Sequence, residues 1–191
     1  MNAKLIVVGV SAGGLQAVGT LLSGLPADLA VPIAVVQHRS RDSDALALVL
    51  QEYTGLRVSE IEDKMPFGAG GVYIAPPDYH VLVDHGHFSL SVDAPVKHSR
   101  PSIDVLFESA ADELGPGVIG VVLTGANRDG ARGLQRIVAR GGRALIQEPQ
   151  TAEVAVMPRA ALELVPQARV GPLEQLSHWL TELVAGERTV A

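Results

Sequence analysis

The spacing of hydrophobic positions along this chain changes several times, and each change marks a new element. Residues 4–8 (KLIVV) form a short run, unbroken in its apolar character from Leu5, that stops at Gly9, the pattern of a strand covered on both faces. Beyond Gly13 and Gly14, the residues Leu15, Val18, Leu21, Leu22 and Leu25 recur at helical spacing. A second apolar run, 31–37, follows Pro26 and a polar turn, and 45–53 again reads as helix. Two strand–turn–helix units in the first 53 residues predict parallel strands joined by right-handed crossovers.

The pattern then shortens. Residues 70–75 (GGVYIA), the turn Pro76-Pro77-Asp78 and residues 80–83 (HVLV) read as paired strands, and a tighter turn at 85–87 leads into 88–92 (FSLSV). Ser102 stands as N-cap of a helix with Ile103, Leu106, Phe107, Ala110 and Leu114 on one face. Parallel-sheet character returns at 117–123. A helix after Gly130 carries Leu134, Ile137 and Val138, and 143–147 supplies another short strand. The tail, 172–184, predicts an amphipathic helix with Leu173, Leu176, Leu180 and Leu183 inward. No repeat, low-complexity segment or linker interrupts the series. The expected fold is α/β: a three-layer, doubly wound, mainly parallel sheet with an inserted antiparallel hairpin region, as one domain over 1–191.

Composition narrows the classes. Hydrophobic residues make up 47% of the chain and charged ones 19%, enough for a real core and too apolar for disorder. No apolar run reaches the ~20 residues that span a bilayer, and no basic segment precedes the first one, so neither membrane insertion nor a secretory leader is expected. The absence of cysteine excludes disulfides, thiolate metal sites and a thiol nucleophile, and fits a cytoplasmic protein. The net charge of −6 argues against nucleic acid as a partner.

In open α/β sheets ligands bind beyond the carboxyl ends of the strands, where strand order reverses. Three such ends carry reactive side chains: Ser11 within GVSAGG, His38 after the second strand, and Asp129 in the loop after 117–123. Hydroxyl, imidazole and carboxylate are the set a serine hydrolase needs, with the serine within hydrogen-bond reach of one ring nitrogen and the carboxylate on the other. Ser11 also fits G-x-S-x-G, a sharp elbow that exposes a serine above the free amides of the next helix. The order Ser, His, Asp differs from the Ser, Asp, His of α/β-hydrolases. A dinucleotide-binding loop is the competing reading of a glycine-rich first turn. It is disfavoured because Ser11 replaces the middle glycine and the second strand ends in Gln37-His38 rather than an acid. Taken alone, Asp129 would read as a cap of the helix that follows it, a role compatible with the other. His85 and His87 read as a solvated turn, His178 as a polar helix face and His80 as a local hydrogen-bonding residue. His98 precedes Ser99-Arg100-Pro101 at a place that could border the cleft.

At these residues the sequence resembles the catalytic domain of the CheB chemoreceptor glutamate methylesterases. The likeness runs in order through GVSAGG (9–14), VVQH (35–38), VYIAPPDYH (72–80), RPSIDVLF (100–107), LTGANRDGARGL (123–134) and MPRAAL (157–162). The resemblance implies Ser11 as nucleophile, His38 as base and Asp129 as the residue that orients it. It implies hydrolysis of glutamyl methyl esters on methylated chemoreceptors in chemotaxis signalling, deamidation of certain glutamines, and no cofactor or metal. Candidate oxyanion donors are the backbone amides of Ala12, Gly13 and Ala126. Arg39, Arg41 and Arg100 are candidate contacts to an acidic receptor surface. Departures from the family pattern cluster around the triad: Ala12 where threonine is usual, Arg39-Ser40-Arg41 after the histidine, and Ala126-Asn127-Arg128 before the aspartate. They motivate a second reading, a signalling or scaffold module of the same fold with weak catalysis. The family's standard form places a receiver domain ahead of the catalytic one. This chain starts just before its first catalytic-domain strand, so the expectation is either a fragment or a standalone esterase controlled by a separate regulatory partner.

Overall fold

Leu5–Val10 forms strand β1, and all six of its side chains are buried. Leu5 and Val7 enter one apolar cluster while Ile6, Val8 and Val10 enter another, so β1 lies between two cores. That position explains the unbroken apolar run, because an interior parallel strand has no wet face. The computed structural model describes residues 3–38 and 45–186.

The chain continues through α1 (Gly14–Ser23), β2 (Ile33–Gln37), α2 (Leu46–Gln51), β3 (Arg57–Glu60) and β4 (Gly71–Ile74). A hairpin, β5 (His80–Asp84) and β6 (His87–Ser91), precedes α3 (Ile103–Leu114), β7 (Val118–Val122) and α4 (Ala131–Ala139). Then come β8 (Arg143–Gln147), α5 (Val156–Leu164), β9 (Arg169–Gly171) and α6 (Leu173–Ala185). Seven strands pair in parallel in the order β3-β4-β2-β1-β7-β8-β9. Helices α1, α2 and α6 pack on one face, and α3, α4, α5 and the hairpin on the other. The chain winds outward from β1 through β2, then returns to β7 on the far side of β1. The switch point is therefore the crevice above β1 and its two neighbours.

The three-layer α/β reading holds, with one pairing corrected. Gly71–Ile74 does not pair with the strand after Pro76-Pro77-Asp78; it joins the main sheet between β3 and β2. Val72 and Ile74 are fully buried there, which suits an interior strand. The antiparallel pair is β5 with β6, closed at His85-Gly86. Strand β3 escaped the hydrophobic pattern because its residues, RVSE, form a largely wet sheet edge. Strand β9 is only three residues long, and α5 carries Pro158 in its first turn.

One packing detail positions the crevice. The Ile103 side chain, at the start of α3, fills the space a side chain would need at Gly9 and at Gly130. A Cβ on Gly9 would lie 2.3 Å from Ile103 Cγ2, and one on Gly130, whose φ is +90°, would lie 2.7 Å from it. These two glycines let the N-terminus of α3 sit against the end of β1 and the loop after β7. Gly9→Ala should therefore destabilise the domain by about 1–3 kcal/mol through overpacking. In a double-mutant cycle with Ile103→Ala the two effects should couple, the double variant being more stable than the sum of the singles allows. Urea unfolding of the four proteins measures this, and simple additivity would contradict it.

Candidate active site

Strands β1 and β2 end side by side, with Val10 opposite Gln37, and the His38 N–H donates to the Val10 carbonyl at 3.1 Å. Ser11 and His38 are thus the first residues beyond two adjacent strand ends. On the other side the Ser11 N–H donates to the Thr124 carbonyl at 3.0 Å, which draws the loop after β7 against the same turn. All three strand ends singled out in the sequence meet in one crevice.

The Ser11 turn is tight. Gly13, at φ +75°, caps α1 in the left-handed region, where a residue with a Cβ would be strained. Gly125 leaves room for Ser11, since a Cβ placed there would stand 3.0 Å from Ser11 Cβ. Among the described residues, the amides of Ala12 and Gly13 make no hydrogen bond. Free amides at a helix start beside a hydroxyl are suited to hold an oxyanion. The Ala126 amide also lacks a partner among the described residues, and Ala126 is exposed at the rim.

Asp129 is fully buried and surrounded by donors. Its Oδ2 accepts from His38 Nε2 at 2.9 Å and from the Ile103 amide at 2.7 Å. Its Oδ1 accepts from Ser102 Oγ at 3.0 Å, the Asp104 amide at 3.1 Å and the Gly130 amide at 3.1 Å. The amides of Ile103 and Asp104 belong to the first turn of α3, so Asp129 caps that helix from outside. This corrects two expectations. Ser102 holds the N-cap position, yet its hydroxyl donates to Asp129 instead of capping its own helix. Asp129 caps α3, not the helix that follows it. Burial by itself pushes the Asp129 carboxyl up; the bonds from His38, Ile103 and Asp104 outweigh it and hold the group below the usual carboxylate range.

The same contacts decide the tautomer of His38. The Asp129 N–H donates to Asn127 Oδ1 at 3.0 Å, which turns the Asn127 amide nitrogen toward His38 Nδ1 at 3.1 Å. Nδ1 must then be the acceptor, and the proton sits on Nε2, facing Asp129. This is the reverse of the serine-protease triad, where the aspartate holds Nδ1 and Nε2 acts as base. The nitrogen available as base here is Nδ1. Among the described residues no hydrogen bond joins it to the Ser11 hydroxyl, because Asn127 occupies it.

The sequence profile of the CheB methylesterases matches residues 6–180. The chain belongs to the CheB methylesterase family. It is 44% identical over 185 residues, 96% of either chain, to a Leptospira interrogans protein provisionally named protein-glutamate methylesterase/protein-glutamine glutaminase. It is 41% identical over 175 residues to the protein-glutamate methylesterase FrzG of Myxococcus xanthus, covering 87% of this chain and 52% of FrzG. The crystal structure of the Thermotoga maritima CheB methylesterase catalytic domain superposes with a TM-score of 0.90 at 32% identity, covering 96% of this chain and all of that one.

Other residues of this CheB domain fall into place around the crevice. Arg100 Nη1 donates to the carbonyls of Val92 at 2.8 Å and Asp93 at 3.1 Å, and Nη2 faces Asp78 at 3.7 Å. Its guanidinium thus binds the chain's own segment after the hairpin. Arg39 and Arg41 lie outside the described residues. His80 is buried: its Nδ1 accepts the Ser102 amide at 3.1 Å and its Nε2 donates to the Ala94 carbonyl at 3.2 Å, so it steadies Ser102 from behind. His85, His87, His98 and His178 are exposed.

Sequence reasoning passed over Asn127, Thr124, Gln147 and the tie from Ser102. Thr124 Oγ1 donates to the Ala12 carbonyl at 2.9 Å and accepts the Val154 amide at 2.9 Å, while Gln147 Oε1 accepts the Thr124 amide at 2.8 Å. One signal was present. Ser102 lacks the Glu or Gln three residues on that completes a capping box, since Val105 stands there, so the first amides of α3 need an acceptor from elsewhere. Among the described residues, no group of three or more His, Asp or Glu is placed to hold a metal ion. No helix among these residues is long and apolar enough to cross a membrane.

Because the Asp129 carboxyl is depressed on folding, its contribution to stability is full above the unfolded value of about 3.9 and is lost as pH falls through the lower folded value. Asp129→Asn should cost about 3–5 kcal/mol at neutral pH, since an amide cannot accept from all five donors. It should also flatten the decline in melting temperature between about pH 4 and pH 2. Thermal melts of both proteins across that range check this, and parallel pH profiles would contradict it.

Proposed function

We infer that this domain is a protein-glutamate methylesterase working through Ser11, His38 and Asp129. The observation that carries the reading is the meeting of Ser11 with the His38–Asp129 pair at neighbouring strand ends, with Asp129 Oδ2 on His38 Nε2, so that Nδ1 is the ring nitrogen left to serve as base. In the first half-reaction the Ser11 proton moves to Nδ1 as Oγ bonds to the ester carbonyl carbon. The carbonyl pair shifts onto oxygen, where the amides of Ala12, Gly13 and Ala126 are the candidate donors to receive it. Collapse expels the methoxy group, which takes the proton from Nδ1 and leaves as methanol. Water then gives a proton to Nδ1 as its oxygen attacks the acyl carbon. Collapse of this adduct returns the proton to Ser11 Oγ and frees a glutamate side chain. On a glutamine side chain the leaving group is ammonia. Asp129 remains ionised throughout and balances the imidazolium that forms at each transfer.

The substrate class, methyl esters of protein glutamates, follows the names of the relatives, and a chemoreceptor as their carrier follows the sequence resemblance. The competing scaffold reading is not favoured, because the relatives are named as enzymes.

Ser11→Ala should lose fluorophosphonate labelling and lower methanol release from methylated receptor by about 10⁴–10⁶-fold. Its stability should change by less than about 0.5 kcal/mol, since the hydroxyl holds no structural bond among the described residues. Retained turnover in this variant would remove Ser11 from the mechanism.

A further inference from the structure

The loop before Asp129 contains a residue that the chemistry above does not use. Asn127 donates from Nδ2 to His38 Nδ1 at 3.1 Å, while its Oδ1 accepts the Asp129 amide at 3.0 Å. It therefore sits on the lone pair that must take the Ser11 proton. We propose that Asn127 is a latch on the general base, a positioning residue that restrains His38 until it is displaced. The proposal rests on the assignment of Ser11 and His38 given above.

Two roles compete for such a contact, and the structure separates them. A donor on Nδ1 could help by selecting the Nε2–H tautomer. That task is already performed by Asp129, a buried carboxylate whose charge-assisted bond is the stronger of the two. What Asn127 adds is competition. While its amide occupies Nδ1, the Ser11 hydroxyl has no acceptor on the ring. Once the proton has moved, Nδ1–H and the Asn127 NH₂ are two donors facing each other. The amide cannot resolve this by flipping, since that would point its NH₂ at the Asp129 N–H. Turnover therefore requires the Asn127 side chain to leave, breaking both of its bonds. Removing the side chain removes that requirement. The Asn127 backbone lies outside the left-handed region and the residue is half-buried, so alanine fits the loop.

Asn127→Ala should raise the rate of fluorophosphonate labelling of Ser11, and methanol release under subsaturating substrate, by about two- to tenfold, the range of one neutral hydrogen bond. A second readout needs no turnover. In the Ser11→Ala background, the Nδ1 nitrogen resonance of neutral His38 should move when Asn127 is also replaced by alanine, while the ring remains the Nε2–H tautomer. A faster label with a shifted Nδ1 signal supports the latch. Equal or slower labelling, an unmoved signal or a change of tautomer overturns it. Persistence of labelling in Ser11→Ala itself would instead refute the triad, and the resonance would still judge the Asn127 contact.

Discussion

Taking an ionised carboxylate out of water costs several kcal/mol unless protein donors replace the lost hydration. Asp129 has no exposed surface, and its replacement shell consists of one imidazole, one hydroxyl and three backbone amides. Two of those amides exist as free donors only because a helix begins there. The requirement runs outward from this point. The start of α3 must lie against the loop after β7, and that approach requires Gly9 and Gly130 to leave room for Ile103. A second buried carboxylate, Asp104, then ties the same corner together. It accepts the Gly133 amide at 2.7 Å and the Lys97 ammonium at 2.6 Å, linking α3 to α4 and to the segment after the hairpin.

The consequence for chemistry is a choice of ring atom. An aspartate approaching from the side of α3 reaches Nε2, because the His38 backbone is anchored to β1 through the Val10 carbonyl. The atom left to act as base in the proposed mechanism is then Nδ1, the nitrogen nearer the main chain. A shorter arm between backbone and basic atom leaves the ring less freedom, and the small residues around Ser11 fit that close assembly. Gly125 and Ala126 line the loop beside Ser11, and Met157 packs against Gly125 from α5.

Much of this was legible in the residues, and the limits have physical causes. Strands β1, β2 and β7 announced themselves as apolar runs because both of their faces are dry. The three reactive residues could be found because each follows such a run. Strand β3 was invisible since its wet edge position leaves no hydrophobic trace, and β4 was given the wrong partner because local order favours a hairpin over a crossover. The dual role of Asp129 could not be read from spacing. It caps a helix that begins 26 residues earlier in the chain, a relation that only the folded topology creates. Asn127 was visible as a departure before the aspartate, but its contact depends on how the Asp129 amide orients it.

The sharing of one carboxylate between helix capping and base orientation ties stability to activity more closely than a triad on a rigid scaffold would. Sites usually tolerate loss of a catalytic side chain, because such groups contribute little to folding and are often strained. Here Asp129, the proposed orienter of the base, also satisfies the first turn of α3, while the Ser11 side chain makes no hydrogen bond among the described residues. The two ends of the proposed triad therefore have opposite character: the Ser11 side chain holds no bond among the described residues, whereas Asp129 is bonded to α3, Ser102 and the His38 ring together. A weakly active relative of this fold would more readily lose its serine than its aspartate. An intact Asp129 is consequently poor evidence of catalysis when taken alone. Of the proposed triad, Ser11 is the member whose retention speaks for catalysis, because its side chain makes no hydrogen bond among the described residues.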